Sequence, residues 1–130
     1  MKNVMTYCEP GCTPQAAAFI DSLEPKLREK VIRQIFALSY TPRSEWKEPH
    51  YKHFSIEKYR AFYELREKGK IMVRVIFTVC PGGKVLLLHA FVKRQRRETM
   101  LALEHSLRLL AQLREHPECA VEYKVKEEIA

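Results

Sequence analysis

The sequence predicts an α+β domain with two N-terminal helices, a twisted antiparallel β-sheet meander and a C-terminal helix. Apolar residues recur at spacings of three and four in Pro25–Tyr40 and again in Glu98–Arg114, which is typical of amphipathic helices. Between them, residues 71–79 alternate between two faces, which is typical of a strand. Residues 85–92 are apolar on both faces apart from one histidine, which indicates a strand inside a sheet.

The N-terminal region predicts a short strand followed by the two helices. Val4–Cys8 favours the strand. The first helix is expected over Pro14–Ser22, with Thr13 as its N-cap and the proline at its first position. Thr41–Pro49 contains two prolines and many charges, so a loop is expected there.

The central region predicts the meander itself. Tyr59–Arg66 alternates around aromatic residues and favours a strand, and Glu67–Lys70 contains a glycine that favours a hairpin turn. Cys80–Lys84 contains one proline and two glycines, which predicts a second turn.

The last helix is expected to bury one stripe and to end before Pro117. The stripe consists of four apolar residues at helical spacing: Met100, Leu103, Leu107 and Leu110. A length of 130 residues fits one domain, which we assign to residues 1–116. Residues 117–130 would be a C-terminal extension, either a short strand at 121–125 or disordered.

Composition narrows the possible partners and location. The net charge of +7 favours polyanions such as RNA, DNA or an acidic protein. Met1–Cys12 contains no apolar leader segment, and the longest apolar run, Val85–Leu88, is far shorter than the roughly 20 residues that span a bilayer. We therefore expect a cytoplasmic protein with no membrane partner. The cysteines lack the paired spacing of metal sites, so no metal and no cofactor are expected.

Cations in two places are candidates for binding phosphate. Lys93–Arg97 holds four cations directly after the buried strand, and arginine forks match phosphate oxygens. The alternative is a solvated charged run. Arg74 interrupts the most regular strand, where it either pairs with a carboxylate such as Glu64 or is aimed at a phosphate.

The sequence leaves open whether Arg66 and Arg74 share a face of the sheet. A two-residue turn at Lys68-Gly69 would set Arg66 opposite Ile71 and Arg74 opposite Tyr63, on opposite faces. A bulge or a turn of odd length would bring both arginines to one face.

Histidines are the candidates for acid or base chemistry. His50 and His53, with Lys52, precede the first long strand and could transfer protons near neutral pH, or they could be surface residues. His89 lies in an apolar strand, where a core histidine with a satisfied hydrogen bond is the alternative. The chain lacks a Ser/His/Asp pattern and a glycine-rich phosphate loop.

The segment 62–97 resembles the HigB-like, phage-derived branch of the RelE/ParE toxin superfamily. The motifs that carry the resemblance follow in order as Tyr63-Glu64-Leu65-Arg66, Val73-Arg74-Val75 and Leu87-Leu88-His89-Ala90-Phe91-Val92-Lys93-Arg94. The resemblance extends over residues 1–113 and implies a RelE-like fold. It also implies the toxin of a type II toxin-antitoxin system, a ribosome-dependent endoribonuclease (mRNA interferase) that promotes attack of a ribose 2′-hydroxyl on the adjacent phosphate.

The resemblance also implies partners and site residues. The partners are mRNA on the ribosome and a cognate antitoxin, expected to be a helix-turn-helix protein; a homodimer is a further possibility. Arg74 matches the sheet arginine that contacts the scissile phosphate, Lys93 and Arg94 match the basic residues after the last strand, and Arg66 matches a Leu-Arg signature. The predicted catalytic residues are Arg74, Arg94, Lys93 and His53, and the predicted RNA-binding residues are Arg66, Lys52, Arg96 and Arg97.

The chain departs from the family pattern at its general base. Phe62 and Glu64 stand where some RelE members carry lysines, and a tyrosine of the last helix is replaced around Met100. His53, Lys52 or His89 could substitute as the base. The alternatives are a non-catalytic, ParE-like topoisomerase inhibitor and an inactive RNA-binding phage remnant.

Overall fold

The structure, a computed structural model, describes residues 3–125 of the chain. Within that range the helices are α1 (Gln15–Asp21), α2 (Pro25–Tyr40) and α3 (Arg96–Glu115). The strands are β1 (Val4–Tyr7), β2 (Tyr51–His53), β3 (Phe62–Lys68), β4 (Met72–Val79), β5 (Val85–Val92) and β6 (Ala120–Glu122). The predicted α+β class is confirmed, and the predicted spans of α2 and β5 agree with those observed.

All six of these strands join one sheet in the order β2-β3-β4-β5-β1-β6. Strands β2 to β5 form the expected antiparallel meander. The expectation of a wholly antiparallel sheet is wrong, because β1 pairs parallel with β5, with Val4 opposite Val85. Parallel neighbours require a long connection, and here two helices and three strands separate β1 from β5.

The helices divide between the two faces of the sheet. Helices α1 and α2 cover one face, here called the α1/α2 face, and its buried cluster includes Ile20, Leu27, Val31, Ile35, Leu38, Trp46, Leu65, Val75, Phe77 and Leu87. Helix α3 covers part of the other face, here called the α3 face, and its buried cluster includes Tyr7, Tyr59, Phe62, Ile76, Leu86, Leu88, Leu103 and Leu109. Helix α3 therefore does not cover the C-terminal ends of β3 and β5 or the N-terminal end of β4.

The length of the hairpin loop between β3 and β4 determines whether Arg66 and Arg74 share a face of the sheet. Lys68 pairs with Met72, so the loop between them is the three residues 69–71. With this odd-length loop, Arg66 lies directly opposite Arg74, and both side chains are on the same face. Strand β3 runs two residues further than expected, which moves the turn and sets the register.

The buried stripe of α3 also differs from the expected one. Its buried residues are Ala102, Leu103, Ser106 and Leu109. Met100, an expected member of the stripe, is 44% exposed. Leu107 and Leu110, two other expected members, are partly buried against the same cluster, so the stripe is shifted rather than absent.

Two smaller expectations changed at the N-terminal end and in the loop. Pro14, not Thr13, occupies the N-cap position of α1, and no side chain of residues 3–125 caps that helix. Strand β2 follows the expected loop at residues 41–49 and was not predicted; its three residues form a strand by pairing with β3.

The C-terminal extension contributes β6, which pairs antiparallel with β1 at the edge of the sheet. Residues 126–130 lie outside the described residues, and the domain boundary at residue 116 stays a prediction. Of the helices between residues 3 and 125, none combines the length and the hydropathy that crossing a bilayer requires.

The side chain of Gln15 completes the hydrogen bonding of β5 beyond the end of β1. Its amide nitrogen donates to the carbonyl of Ala90 at 2.7 Å, and its amide oxygen accepts from the N–H of Ala90 at 2.9 Å. Ala90 is buried, so these two backbone groups depend on the glutamine for partners.

Gln15→Leu should lower the free energy of unfolding by about 1–2 kcal/mol, because it leaves two backbone groups unpaired. Urea unfolding measures the change. Gln112→Leu is the matched control and should unfold like the wild type, because Gln112 is exposed on α3 and its side chain makes no hydrogen bond to the described residues. Equal stability of all three proteins would contradict the assignment.

Candidate functional site

Several cations lie close together on the α3 face, because the residues that carry them pair across neighbouring strands at one end of the meander. Three rows of neighbours run across the strands: Lys52–Glu64–Ile76–His89, then Arg66–Arg74–Phe91, then Lys68–Met72–Lys93. Opposed residues point to the same side of a sheet, and residues two apart on a strand do so as well. Ile76 belongs to the cluster under α3, so these rows lie on the α3 face. We call Lys52, Arg66, Arg74 and Lys93 the basic patch.

Arg74 is the more enclosed of the two arginines of the basic patch. Its side chain is 11% exposed, and its Nη1 donates to the carbonyl of Val73 at 3.2 Å. Its Nε lies 3.5 Å from Oε1 of Glu64 and makes no hydrogen bond to the described residues. Within residues 3–125, no hydrogen bond or ion pair engages its Nη2. Burial lowers the pKa of Arg74, while Glu64 raises it and Arg66 lowers it. The guanidinium stays protonated near neutral pH, since arginine titrates far above that range.

Glu64 contacts both Arg66 and Arg74. Its carboxylate is fully buried, and Oε1 accepts from Nε of Arg66 at 2.8 Å. In the described part of the chain, Oε2 has no hydrogen-bond partner. Arg66 also lies 3.3 Å from the exposed Glu48. One buried carboxylate therefore serves two guanidinium groups, and the pairing of Arg74 with Glu64 that the sequence suggested is present.

The cations that follow β5 stand at the start of α3. The N–H of Lys93 donates to the carbonyl of Met72, and Arg94, Arg96 and Arg97 are exposed. Positive side chains in the first turn of a helix oppose its dipole, so this placement reduces helix stability.

Glu98 offsets part of that cost. Its Oε1 accepts from the N–H groups of Arg94 at 2.9 Å and Gln95 at 2.6 Å, as part of a capping box. The exposed arginines beside the patch therefore remain available to bind phosphates.

The structure does not bring His53 to the basic patch. His53 pairs with Tyr63 on the α1/α2 face and stacks on that ring, with centroids 4.4 Å apart. Its Nε2 lies 2.7 Å from the carbonyl oxygen of Arg60. Side chains alternate along β2, so the side chain of Lys52 lies on the α3 face and that of His53 lies on the α1/α2 face.

His89 is the histidine that shares the α3 face with Arg74. Its ring stacks on Phe91 with centroids 5.9 Å apart and meets the ring of His105 edge-on at 4.9 Å. Its Nδ1 is buried and has no hydrogen-bond partner within residues 3–125. Burial, with a smaller effect of His105, lowers the pKa of His89 to about 4, so the ring is neutral near pH 7. The expectation of a satisfied hydrogen bond at this histidine is therefore wrong for Nδ1.

Sequence reasoning missed His105. His105 follows Ala102 by three residues, Leu101 by four and Glu98 by seven. At these helical spacings the four residues lie along one side of α3. That spacing was the available signal. Among residues 3–125, no group of three or more His, Cys, Asp or Glu side chains could hold a metal ion.

The chain matches the model of a known protein family. The family model described as "Phage derived protein Gp49-like (DUF891)" matches residues 18–111 of the 130. The match includes α2, the whole meander, the basic patch and most of α3. No curated protein matches the chain.

The buried position of His89 makes stability depend on pH. In the unfolded chain this histidine titrates near 6.5, and in the folded protein near 4. Between those values the unfolded state binds more protons, so stability falls as the pH is lowered from 6.5 towards 4. The loss is at most about 3 kcal/mol, and less because solvent reaches part of the ring.

His89→Gln should remove this part of the pH dependence. Urea unfolding of both proteins at several pH values between 4 and 7 gives the difference in the free energy of unfolding. That difference should shift in favour of the variant as the pH falls. A difference that is constant with pH would contradict the assignment.

Proposed function

Because the chain belongs to the Gp49-like family of phage-derived proteins and its motifs resemble those of RelE/HigB-like toxins, we propose that it is the toxin of a type II toxin-antitoxin system. Its activity is that of a ribosome-dependent endoribonuclease that cleaves mRNA. The observation that carries the proposal is the direct opposition of Arg66 and Arg74 on the part of the α3 face beyond the start of α3.

The reaction suits a site with few groups. The ribose 2′-hydroxyl attacks the adjacent phosphorus, the bond to the 5′-oxygen of the next nucleotide breaks, and the products are a 2′,3′-cyclic phosphate and a 5′-hydroxyl. A base takes the proton from the 2′-oxygen, and the protonated base or water supplies one to the departing 5′-oxygen. The nucleophile already stands beside its phosphate, so the protein has to align the two and stabilise charge.

Arg74 provides the charge stabilisation. It is fixed by two contacts, it lies in a poorly solvated position, and its Nη2 is not engaged by the described residues. A preorganised donor of this kind stabilises a transition state by about 3–4 kcal/mol. Lys52, Arg66 and Lys93 surround it and add positive charge for the same phosphate or its neighbours.

His89 is the proton acceptor in this proposal. It lies on the same face as Arg74, diagonally across one row, which sets the two residues roughly 7–8 Å apart, with their Cβ atoms somewhat closer. A phosphate held by the long arginine side chain can reach the space between them. The lowered pKa makes the neutral imidazole a weak base, so its contribution should be near the low end of about 10²–10⁴-fold.

The exposed arginines that follow β5 provide the remaining contacts with RNA in this proposal. Arg94, Arg96 and Arg97 bind phosphates of mRNA or of ribosomal RNA, in the cytoplasm where ribosomes work. A cognate antitoxin, a helix-turn-helix protein in this proposal, neutralises the toxin.

The ParE-like alternative has one observation in its favour. Glu64 already pairs with the arginine that would bind phosphate, and burial makes His89, the proposed base, a weak one. A DNA gyrase supercoiling assay separates the two functions. Inhibition of supercoiling by the wild type without mRNA cleavage would replace the nuclease with the topoisomerase inhibitor.

Arg74→Ala should reduce mRNA cleavage in a ribosome-containing extract by about 10²–10³-fold, because it removes the preorganised donor. Arg94→Ala should cost about tenfold through loss of one phosphate contact. Primer extension on a defined mRNA measures both. Arg74→Lys keeps the charge beside Glu64 but loses the fork, so it should fold normally and remain poorly active.

Arg114→Ala is the matched control, because Arg114 is an exposed arginine at the far end of α3. It should cleave within about twofold of the wild type. Absence of cleavage by the wild type, or equal cleavage by Arg74→Ala, would contradict the proposal.

His89→Gln should lower the single-turnover rate of cleavage about 10²-fold and leave binding to mRNA-programmed ribosomes unchanged. His53→Gln is the matched control, since His53 lies on the other face, and it should cleave like the wild type. If instead the His53 variant loses activity and the His89 variant keeps it, the proton acceptor has been assigned to the wrong histidine.

A further inference from the structure

A cavity of about 320 Å³ opens between β5 and the first turns of α3, beside the basic patch. Its lining is His89, Phe91, Glu98, Leu101, Ala102 and His105. Three of these side chains are flat rings, and those of His89 and Phe91 are nearly parallel, at 17°. The volume is at the small end of the range for ligand sites, about 300–1,000 Å³. Such a space suits a single planar ring system with one apolar wall.

Phe91 connects the cavity with the basic patch. It is the direct neighbour of Arg74 in the sheet and also lines the cavity. A ligand whose phosphate contacts Arg74 could therefore place an attached ring against Phe91 without a long spacer. A nucleotide has this combination of a phosphate and a planar ring, joined by one sugar.

The polar groups of the cavity limit which ring fits best. Glu98 presents a carboxylate, which accepts hydrogen bonds and donates none when ionised. One of its oxygens already accepts two backbone N–H groups, which holds the side chain in place. Adenine, cytosine and guanine carry exocyclic amino groups that can donate to a carboxylate, whereas uracil carries none and offers only its ring N3–H.

We propose that this cavity binds the base of the nucleotide whose phosphate contacts the basic patch, and that it prefers bases with an exocyclic amino group. The inference rests on the proposed function for its substrate class, RNA. It assigns base selection to Phe91, Glu98 and Leu101, which the phosphate chemistry does not use.

Direct titration of the wild-type protein tests the preference. The ligands are 3′-AMP, 3′-CMP, 3′-UMP and ribose 5-phosphate, and the readout is calorimetry or amide chemical shifts. 3′-AMP and 3′-CMP should bind about tenfold more tightly than ribose 5-phosphate, as expected for a base stacked on an aromatic side chain. 3′-UMP should bind more weakly than 3′-CMP. Equal binding of all four ligands, or of 3′-UMP and 3′-CMP, overturns the proposal.

Two adjacent residues of α3 provide a matched pair of variants. Leu101 is 65% exposed and lines the cavity, whereas Met100 is 44% exposed and does not. Leu101→Glu should weaken 3′-AMP about tenfold and ribose 5-phosphate only slightly, and Met100→Glu should weaken neither by more than about twofold. Equal losses in the two variants would indicate a general effect of charge and would overturn the cavity assignment.

The outcome is separable from that of the proposed function. If the protein cleaves mRNA on the ribosome but shows no difference among the four ligands, the base subsite is wrong and the nuclease stands. If the protein prefers 3′-AMP and 3′-CMP, with the loss confined to Leu101→Glu, but cleaves no mRNA, the subsite stands and the nuclease is wrong.

Discussion

The carboxylate of Glu64 lies fully buried between Arg66 and Arg74, and the chemistry of the α3 face depends on this contact. Removing each of these ions from water costs several kcal/mol, which mutual attraction repays only when geometry is favourable. Glu64 faces both guanidinium groups and Glu48 pairs with Arg66 from the exposed side, so the excess positive charge of the basic patch comes from Lys52 and Lys93. The helices and apolar clusters cover its other sides, and the excess charge is therefore directed to the open surface, where a bound phosphate would complete the set of ion pairs.

Local patterns were sufficient for most elements and insufficient for the register that assembles this cluster. The apolar periodicity of α2 and the uninterrupted apolar run of β5 are properties of neighbouring residues, so their spans could be predicted. The opposition of Arg66 and Arg74 depends on where β3 ends, and a glycine at residue 69 permits both an even and an odd turn. The parallel insertion of β1 depends on a pairing between residues about 80 positions apart, which no local pattern contains.

Local patterns were likewise sufficient for some residues of the candidate site and insufficient for others. Arg74 and Lys93 could be singled out because a cation within or directly after an apolar strand is unusual. Lys52 and His53 could not be distinguished, because adjacent residues of a strand face opposite sides and the side depends on pairing with β3. His105 escaped notice because the expected stripe of α3 omitted Ala102 and Ser106, which are buried together with Leu103 and Leu109.

The irregularity of β5 explains how one strand supports both a core and a site. Between Ile76 and Phe77 the pairing shifts, so that His89 opposes Ile76 while Leu87 opposes Phe77. Leu88 is the extra residue, and it packs under α3 on the same face as His89. Residues 85–88 are all valine or leucine, so either register would bury them equally and the hydrophobic pattern cannot reveal the bulge. The bulge lets the leucines fill both cores while His89 and Phe91 remain beside Arg74.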